Sequence, residues 1–427
     1  MTRPHVHIAG AGVAGLSAAL AATRAGAAVT LFEAAPQAGG RCRTLHPADG
    51  FSHDNGTHVL FTGNPRAMRL LDEVGARADW VEPEPGGFPV YDGATGRLSR
   101  IGLSPWSWLD PSLRPEGLTM GGLLRLARLC LPLPDRPVGA VMGEGPLLRS
   151  LVEPLTVAVL NTPVATASAR RLGAAMRRLA RPGSARLLVS GRGLGPDLVE
   201  PALRCLAGRG AALQTGQRLK ALDVKRGRVA ALVFGDRTVV LGPEDTIVLA
   251  LPPHEIARLL PGLPVPESYE PILNLHYRFP GPARPRFVGF VGTLAQWALL
   301  RADHLSVTVS AAAGSVDEDA QTLAARVWLE IAPALSQLAL PADPARPPEA
   351  RVVKEKRATI SQPAGRLPQP PLRPLPNLAL AGDWIGTLPA TIESAVAAGE
   401  RAVAALALPR PAAPGPAVAL QAAGGTL

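Results

Sequence analysis

The sequence predicts an α/β fold in which a Rossmann-like parallel sheet is interleaved along the chain with an α+β domain. The first observation is a glycine-rich turn, Gly10, Gly12 and Gly15, which follows an apolar run and opens an alanine-rich stretch of helical character. The second is a further apolar run that ends at Glu33. Strand, turn, helix and strand in this order form a βαβ unit. A chain of 427 residues is long enough for two or three domains.

The spacing of the three glycines, G-x-G-x-x-G, is typical of a dinucleotide-binding turn. Gly10 permits the tight turn, Gly12 lets backbone N–H groups approach a pyrophosphate, and Gly15 lets the helix pack closely on the strand. The N-terminus of the helix favours the negative charge of the phosphates. Glu33 can accept hydrogen bonds from the hydroxyls of an adenosine ribose. The alternative is an ordinary βαβ unit without a nucleotide, which the agreement of all these parts disfavours.

A second strand–turn–helix signature stands near the C-terminus. An apolar run that begins at Asn377 ends in Gly382 and Asp383, and residues 391–399 then have the pattern of a helix. An acid at the end of such a strand can hydrogen-bond the ribityl hydroxyls of a flavin, and the helix N-terminus can stabilise negative charge on the reduced ring. We interpret Glu393 as part of this helix and not as a catalytic acid. The alternative is a strand–turn–helix unit without a ligand.

The composition indicates a globular protein of unusually apolar character, with 47% hydrophobic residues and a formal net charge of +10. A basic balance suggests an anionic partner surface, either nucleic acid or a membrane face, unless it reflects a general bias toward arginine. Nucleic acid is disfavoured, because only 4% of the residues are aromatic and no dense basic run carries interleaved aromatic residues.

The cysteines Cys42, Cys130 and Cys205 are far apart, which predicts a reducing compartment and no disulfide framework. No metal is expected, because neither the cysteines nor the histidines have metal-ligand spacing. Structural roles are therefore expected for four of the histidines, namely His5, His7, His276 and His304. We do not expect the stretch after Arg3 to be a signal peptide, because cleavage would remove the glycine turn. No other stretch is apolar over about 18 residues, so no transmembrane helix is expected.

Motifs of one domain stand at both ends of the chain, so we expect the two domains to be interleaved. The nucleotide-binding domain is predicted to comprise residues 1–75, 191–255 and 357–408. Residues 76–190 are predicted to be a helical region that faces the substrate and the membrane, and residues 256–356 to be the sheet and helices of the substrate domain. Residues 409–427 have the composition of turns and are expected to form a disordered tail.

With these motifs the chain resembles the amine oxidase and phytoene desaturase class of FAD-dependent oxidoreductases, which has a glutathione-reductase-type nucleotide fold. In that class the acid at Glu33 is followed by G-G-R, here Gly39, Gly40 and Arg41, so the resemblance implies FAD and not NAD. The cofactor contacts that it implies are Gly10, Gly12, Val13, Ala14, Gly15, Glu33, Ala34, Gly39, Gly40, Arg41, Leu219, Gly382, Asp383, Thr391, Ile392 and Glu393.

Within that class, three stretches resemble the hydroxysqualene dehydroxylase family: 54–58, 160–163 and 382–395. The family form of the first is D-N-G-Q-H, so Thr57 is a departure. The resemblance implies the reduction of hydroxysqualene to squalene, in which a reduced flavin delivers hydride to an allylic carbon. A general acid would protonate the leaving oxygen in a dry, apolar pocket.

Asp54 and His58 are the candidate acid and its partner, and Asn161 is a candidate residue of the substrate pocket. The alternative is that Asp54 forms a turn and that His58 bonds the backbone. A polyprenoid substrate also implies a membrane surface, to which Arg125, Arg128 and residues 170–181 are candidates for electrostatic attachment. Trp106 and Trp108 are candidates for insertion into the lipid, unless they pack in the core.

The expected localisation is cytoplasmic and peripheral on the inner face of the membrane, and prenyl synthases of the same pathway are possible partners. Two rivals stay open. One is an oxidative flavoenzyme, either a carotenoid-type desaturase or an amine oxidase, although three tyrosines in the whole chain argue against an aromatic cage for amines. The other is a non-catalytic flavin-binding or lipid-carrying partner of a prenyl synthase. No second G-x-G-x-x-G is present, so no built-in NAD(P)H site is expected.

Overall fold

The structure, a computed structural model, describes residues 4–48 and 50–408. The tail expected for residues 409–427 lies outside the described residues. The helices are α1 Val13–Arg24, α2 Pro65–Glu73, α3 Met120–Cys130, α4 Val138–Met142, α5 Glu153–Leu160, α6 Ala169–Leu179, α7 Glu200–Gly208, α8 Pro253–Leu259, α9 Ala320–Gln337 and α10 Ile392–Ala405.

The strands run from β1 near the N-terminus to β20 shortly before α10. They are β1 His5–Ala9, β2 Ala28–Phe32, β3 Thr44–Leu45, β4 His53–Asp54, β5 Val59–Phe61, β6 Trp80–Val81, β7 Phe88–Asp92, β8 Arg97–Ile101, β9 Leu187–Ser190, β10 Ala212–Gln214, β11 Ala221–Lys225, β12 Arg228–Val233, β13 Thr238–Val240, β14 Thr246–Leu249, β15 Tyr269–Arg278, β16 Arg286–Val291, β17 Trp297–Leu300, β18 His304–Val309, β19 Ala350–Ile360 and β20 Leu378–Leu380.

A parallel sheet in the order β10-β2-β1-β14-β20 forms the first domain. One face packs on α1, α7 and α10, and the other packs on the antiparallel sheet β11-β12-β13 and on α8. Both faces are therefore buried, which explains why Val6 and Ile8 are inaccessible and why the strands have apolar side chains on both sides. The α/β class predicted from the sequence is confirmed, with strands contributed by three separate segments of the chain.

Small residues bring α1 and α10 into close contact under this sheet. A Cβ added to Gly399 would lie 2.3 Å from the carbonyl oxygen of Ala14, and one added to Gly15 would lie 1.8 Å from the carbonyl oxygen of Gly10. Only glycine fits at either position, because the obstacle is backbone. The two helices that begin at the cofactor motifs are thus held against one another and against the glycine turn.

The second domain contains a seven-stranded sheet in the order β19-β15-β18-β17-β16-β7-β8. Its strands are antiparallel except for the pair β16 and β7. Helix α9 covers one face through Trp328, Ile331 and Leu335, and the Tyr277 hydroxyl donates to the carbonyl of Ala324 at 2.8 Å. Strands β7 and β8 come from the region expected to be helical, so that expectation was incomplete.

The region between β8 and β9 contains α3 to α6 around its own apolar core. Of the candidates for electrostatic attachment, Arg125 and Arg128 lie on α3, and residues 170–179 lie on α6. Trp108 is buried in this core, whereas Trp106 is 59% exposed. No helix among residues 4–48 and 50–408 is long and apolar enough to cross a membrane.

Candidate active site

A cavity of about 1020 Å³ extends from the carboxyl edge of the parallel sheet to the space between the seven-stranded sheet and α5 and α6. Its two ends differ in chemistry. The end at the parallel sheet is lined by glycines, backbone and charged side chains, and the other end is lined by aliphatic and aromatic side chains. The arrangement joins a polar cradle to an apolar chamber in one continuous space.

The glycine turn shapes the polar end. Gly10 has a φ of +97° and leads from β1 into the turn, while Gly39 and Gly40 have φ values of +111° and +56° on the opposite side of the cradle. A Cβ added to Gly12 would have only the Cα of Gly40 within 4 Å, at 3.9 Å, so it would project into open space between the two segments. That space is where a pyrophosphate needs direct access to backbone N–H groups.

Glu33 stands at the end of β2, beside the glycine turn. Its Oε2 accepts from the N–H of Ala11 and its Oε1 from the N–H of Ala35, each at 2.9 Å. These two bonds fix the carboxylate toward the cavity and leave each oxygen able to accept another hydrogen bond. The placement fits the two hydroxyls of an adenosine ribose. Leu219 lies nearby on the cavity wall, and its carbonyl is held by Arg258 at 2.7 Å.

Arg41 and Asp383 join the two motifs from opposite ends of the chain. An Arg41 Nη2 lies 2.8 Å from Oδ1 of Asp383, and another Arg41 amino group donates to the carbonyl of Ala358. The Asp383 carboxylate raises the pKa of the Arg41 guanidinium. Arg41 therefore remains a cation beside the site for the phosphates.

Helix α10 begins at the cavity wall, and a capping box closes its N-terminus. The side chain of Thr391 accepts from the N–H of Ser394, and the Ser394 hydroxyl accepts from the N–H of Thr391 at 2.9 Å. The Glu393 carboxylate accepts hydrogen bonds from the N–H groups of Arg66 and Ala67 at the start of α2, at 3.0 and 2.9 Å. These contacts fit a structural role of Glu393 within the helix.

The predicted cofactor contacts converge on this polar end, with one exception. Gly15 does not line the cavity, because it packs under the turn against Gly10. The residues that line it are Gly10, Gly12, Val13, Ala14, Glu33, Ala34, Gly39, Gly40, Arg41, Leu219, Gly382, Asp383, Thr391, Ile392 and Glu393. A glycine cradle that a side chain would fill, a ribose-binding carboxylate and a helix N-terminus together fit FAD.

The apolar end is formed by residues that the motifs did not reveal. Helix α5 and the π-helical turn before it contribute Leu151, Leu155 and Ala158, and α6 contributes Ala175 and Leu179. The opposite wall comes from β7, β8 and β16, with the side chains Val90, Ile101, Phe287 and Phe290. A π-helical turn is a frequent feature of functional sites. No local pattern distinguishes these side chains from core, so three-dimensional proximity was needed to find them.

Asp54 lies behind the cavity wall and is not among the residues that line it. Its Oδ2 is 3.0 Å from Nη2 of Arg301, and both side chains are buried. Its Oδ1 accepts from the Thr44 hydroxyl at 2.7 Å and from the N–H of Leu194 at 2.8 Å. The carboxylate thus ties together three segments of the chain. This geometry does not support the expectation that Asp54 protonates the substrate.

His58 lines the cavity four residues further on. Its Nδ1 lies 3.1 Å from the carbonyl of Gly56, to which it donates, so Nε2 is left to exchange a proton. Burial lowers the pKa of the His58 imidazole below 6.5. The intervening Thr57, where the resembled family has Gln, also lines the cavity, and its N–H faces Oδ1 of Asn274 at 3.5 Å.

Asn161 lines the cavity and has a left-handed backbone at the end of α5, with φ +46°. Its Nδ2 donates to the carbonyl of Glu270 and to the Thr359 hydroxyl, both at 3.0 Å, and its Oδ1 accepts from the N–H of Ala311 at 2.6 Å. The amide therefore joins α5 to β15 and β19. Its hydrogen bonds position the chamber wall.

A buried group of histidines stands beside Asp54. The rings of His53 and His276 stack with centroids 4.1 Å apart, and His304 lies 6.5 Å from His276. Burial is the main cause that lowers the pKa of His53 and His304, and it lowers the pKa of His276 well below 6.5. The three imidazoles therefore pack as neutral groups next to the Arg301 cation.

Comparisons with known proteins agree with this geometry. The family model of flavin containing amine oxidoreductases matches residues 13–407. A hydroxysqualene dehydroxylase of Rhodopseudomonas palustris is 40% identical over 417 residues, covering 93% of this chain and 97% of that protein. One of Sinorhizobium fredii is 36% identical, with the same coverage of both chains.

Proteins of solved structure share the fold of this chain. Cyclohexylamine oxidase of Brevibacterium oxydans has a TM-score of 0.69 at 17% identity, covering 95% of this chain and 99% of that one. The FAD cradle and the similarity over nearly the whole chain make the protein an FAD-dependent oxidoreductase. The chain belongs to the hydroxysqualene dehydroxylase family, within the flavin-containing amine oxidoreductases.

Proposed function

We propose that this enzyme reduces hydroxysqualene to squalene, the reaction that the name of its curated relatives points to. The observation that carries the proposal is the continuity of the FAD cradle with a chamber lined by aliphatic and aromatic side chains. Such a chamber suits a long hydrocarbon, since burial of its surface is favourable without any hydrogen bond to the chain.

The reaction breaks a C–O bond and forms a C–H bond. When bound in its reduced form, FAD supplies the hydride. The hydroxyl leaves as water after it receives a proton, and positive charge develops on an allylic carbon as the C–O bond breaks. The chamber wall excludes bulk water, which would otherwise capture that carbon.

His58 is the proton donor in this proposal, and Asp54 is a positioning residue. His58 lines the cavity, whereas Asp54 holds the loop that ends at His58 through Thr44, Leu194 and Arg301. The lowered pKa of His58 makes its protonated form a stronger acid than an ordinary imidazolium, which favours transfer of the proton to a leaving hydroxyl.

The test is an anaerobic incubation of the purified, FAD-loaded and chemically reduced enzyme with hydroxysqualene, with the product identified by mass spectrometry. We expect squalene in an amount equal to the flavin that is reoxidised. The oxidised enzyme with phytoene is the second arm. A desaturated product there, together with no squalene in the first arm, would replace the proposal with the carotenoid-type desaturase.

The proposal extends to an anionic membrane surface from which the substrate is taken. Ten large hydrophobic side chains are exposed among the described residues, and six of these lie between residues 106 and 133. They are Trp106, Leu109, Met120, Leu124, Leu131 and Leu133. We call this set the 106–133 patch.

Helix α3 is apolar on two faces, which explains why it contributes Met120 and Leu124 to the patch. Leu126 and Leu129 face the core, while Met120 and Leu124 form an outward stripe at a spacing of four residues. Arg125 and Arg128 lie beside the stripe, toward one side of it, and are exposed. An apolar stripe next to arginines fits the interface of an anionic bilayer. Helix α3 packs on α6, which lines the apolar chamber, and we place the entry of the lipid on this side of the molecule.

Vesicle sedimentation tests this part of the proposal. We expect binding to phosphatidylglycerol vesicles, weaker binding to phosphatidylcholine vesicles, and a loss of binding in the double variant Met120→Ser, Leu124→Ser. The matched control is Val240→Ser, Leu329→Ser, which changes two exposed apolar side chains elsewhere. Equal binding of both double variants would contradict a specific role of the patch. The cytoplasmic localisation and a prenyl synthase partner stay predictions.

A further inference from the structure

Three metal-ligating side chains meet at the edge of the parallel sheet opposite the glycine turn. His5 and His7 are two residues apart on β1, so their side chains leave the same face of the sheet. Asp245 directly precedes β14, which pairs with β1. One ligand atom of each residue lies within 4.8 Å of the other two. The cluster could not be recognised in the sequence, because 238 positions separate His7 from Asp245.

The distance between the two inner ligands suits a shared ion. Nε2 of His7 and Oδ2 of Asp245 are 3.4 Å apart, longer than a good N–H···O hydrogen bond. Two ligands of a tetrahedral zinc ion with bonds of about 2.0–2.1 Å are separated by roughly 3.3 Å. The observed spacing is thus close to one edge of such a site.

Neighbouring groups orient all three side chains. His7 is 5% exposed and packs between the rings of His5 and Phe32. Asp245 Oδ2 accepts from the N–H of Gly242 at 2.9 Å, and Nε2 of His5 lies 2.9 Å from the Thr30 hydroxyl. Such outer contacts are typical of metal ligands. His5, which is only partly buried, must turn out of its stack on His7 to direct a nitrogen at the same ion.

We propose that His5, His7 and Asp245 bind one divalent transition-metal ion, for which Zn²⁺ is the best fit. Two imidazoles and one carboxylate suit zinc, whereas calcium and magnesium prefer sites made of oxygen ligands. Three protein ligands leave one position for water. The ion would join β1 to the turn before β14, at the end of β1 away from the glycine turn. This proposal departs from the expectation that the two histidines have structural roles and that no metal binds.

Calorimetric titration of tag-free, FAD-loaded protein with Zn²⁺ tests the site, and the absorption spectrum of Co²⁺ as a second probe reports the coordination geometry. We expect one ion per chain, tetrahedral cobalt bands and a Tm that rises with added zinc. His5→Ala and Asp245→Asn should each weaken binding about 100-fold or more while the FAD content is unchanged. The control is His46→Ala, an exposed histidine elsewhere.

Two results would overturn the proposal. One is the absence of saturable binding by the wild-type protein, which would leave His7 and Asp245 in direct contact without a metal. The other is unchanged affinity in His5→Ala and Asp245→Asn, which would place the metal elsewhere. The FAD content of each variant separates a loss of the metal site from a failure to fold.

Discussion

The two ends of the cavity are built by different means. The FAD end is made largely of backbone, namely glycines, strand ends and a helix N-terminus, with Glu33, Arg41 and Asp383 among its charged groups. The apolar end is made of side chains from α5, α6, β7, β8 and β16, which are far apart in the chain. A dinucleotide is bound by fixed hydrogen-bond donors and charged groups, whereas a hydrocarbon requires only an apolar space of sufficient volume from which water is excluded. Substitutions should therefore separate cofactor binding from substrate binding.

The largest effect is expected from Gly12→Val. The added side chain projects into open space in the cradle, so the fold is kept but the pyrophosphate is excluded. We expect loss of FAD and of all activity, measured by flavin absorbance and by circular dichroism for the fold. Gly208→Val is the control, because the position has open space around it on α7. Retention of FAD by Gly12→Val would contradict the assignment of the cradle.

Asp54→Asn should reduce stability by about 3 kcal/mol or more, since it leaves the buried Arg301 cation without its partner. Denaturant unfolding measures the loss, and the further substitution Arg301→Gln should recover part of it. The turnover of the folded variant should stay within about tenfold of the wild type. Full stability together with a loss of turnover would instead restore Asp54 as the acid.

His58→Gln should lower turnover about 100-fold, or roughly 2.7 kcal/mol, because it removes the proposed acid while FAD stays bound. The pH profile is the more specific measurement. The folded-state pKa of His58 lies below 6.5, so wild-type turnover should rise as the pH falls through and below that value. The variant should lack this rise. A variant with the wild-type profile would exclude His58 as the donor.

Ala158→Trp should fill part of the apolar chamber from α5 and reduce kcat/KM about tenfold, or roughly 1.4 kcal/mol. FAD binding should not change, since the residue lies at the other end of the cavity. Steady-state kinetics and a flavin titration give the two readouts. Ala207→Trp, on the exposed side of α7, is the matched control. An equal loss of FAD would mean that the two ends are not separable.

The smallest expected effect is on the pH dependence of stability, to which the buried histidines behind the cavity wall contribute. Since the pKa of His276 is depressed in the folded protein, the unfolded chain binds a proton below pH 6.5 that the folded chain does not. Stability should fall below that pH, by at most about 1.4 kcal/mol per pH unit for this histidine. His276→Phe should make the decline shallower between pH 6.5 and 5.5, measured as Tm. His46→Phe should leave it unchanged.

The same contrast explains how much the sequence could predict. The parallel sheet and the contacts of the FAD cradle are encoded by short motifs, because glycine turns and strand-end acids have local requirements. Strands β7 and β8 were missed, since short alternating runs carry weak signals. The network of Asp54 could not be predicted, because Arg301 is 247 positions away. The chamber wall could not be predicted, as Leu155 or Phe287 looks like any core residue in sequence.

The most direct test of this account is a single-turnover experiment under anaerobic conditions. Reduced wild-type enzyme and reduced Ala158→Trp, with equal FAD content, are mixed with increasing hydroxysqualene, and flavin absorbance is followed in time with squalene measured at the end point. We expect saturable reoxidation with one squalene per flavin in the wild type, and a substrate requirement about tenfold higher in the variant. No reoxidation of the wild type by hydroxysqualene, or identical concentration dependence in both proteins, would contradict the account.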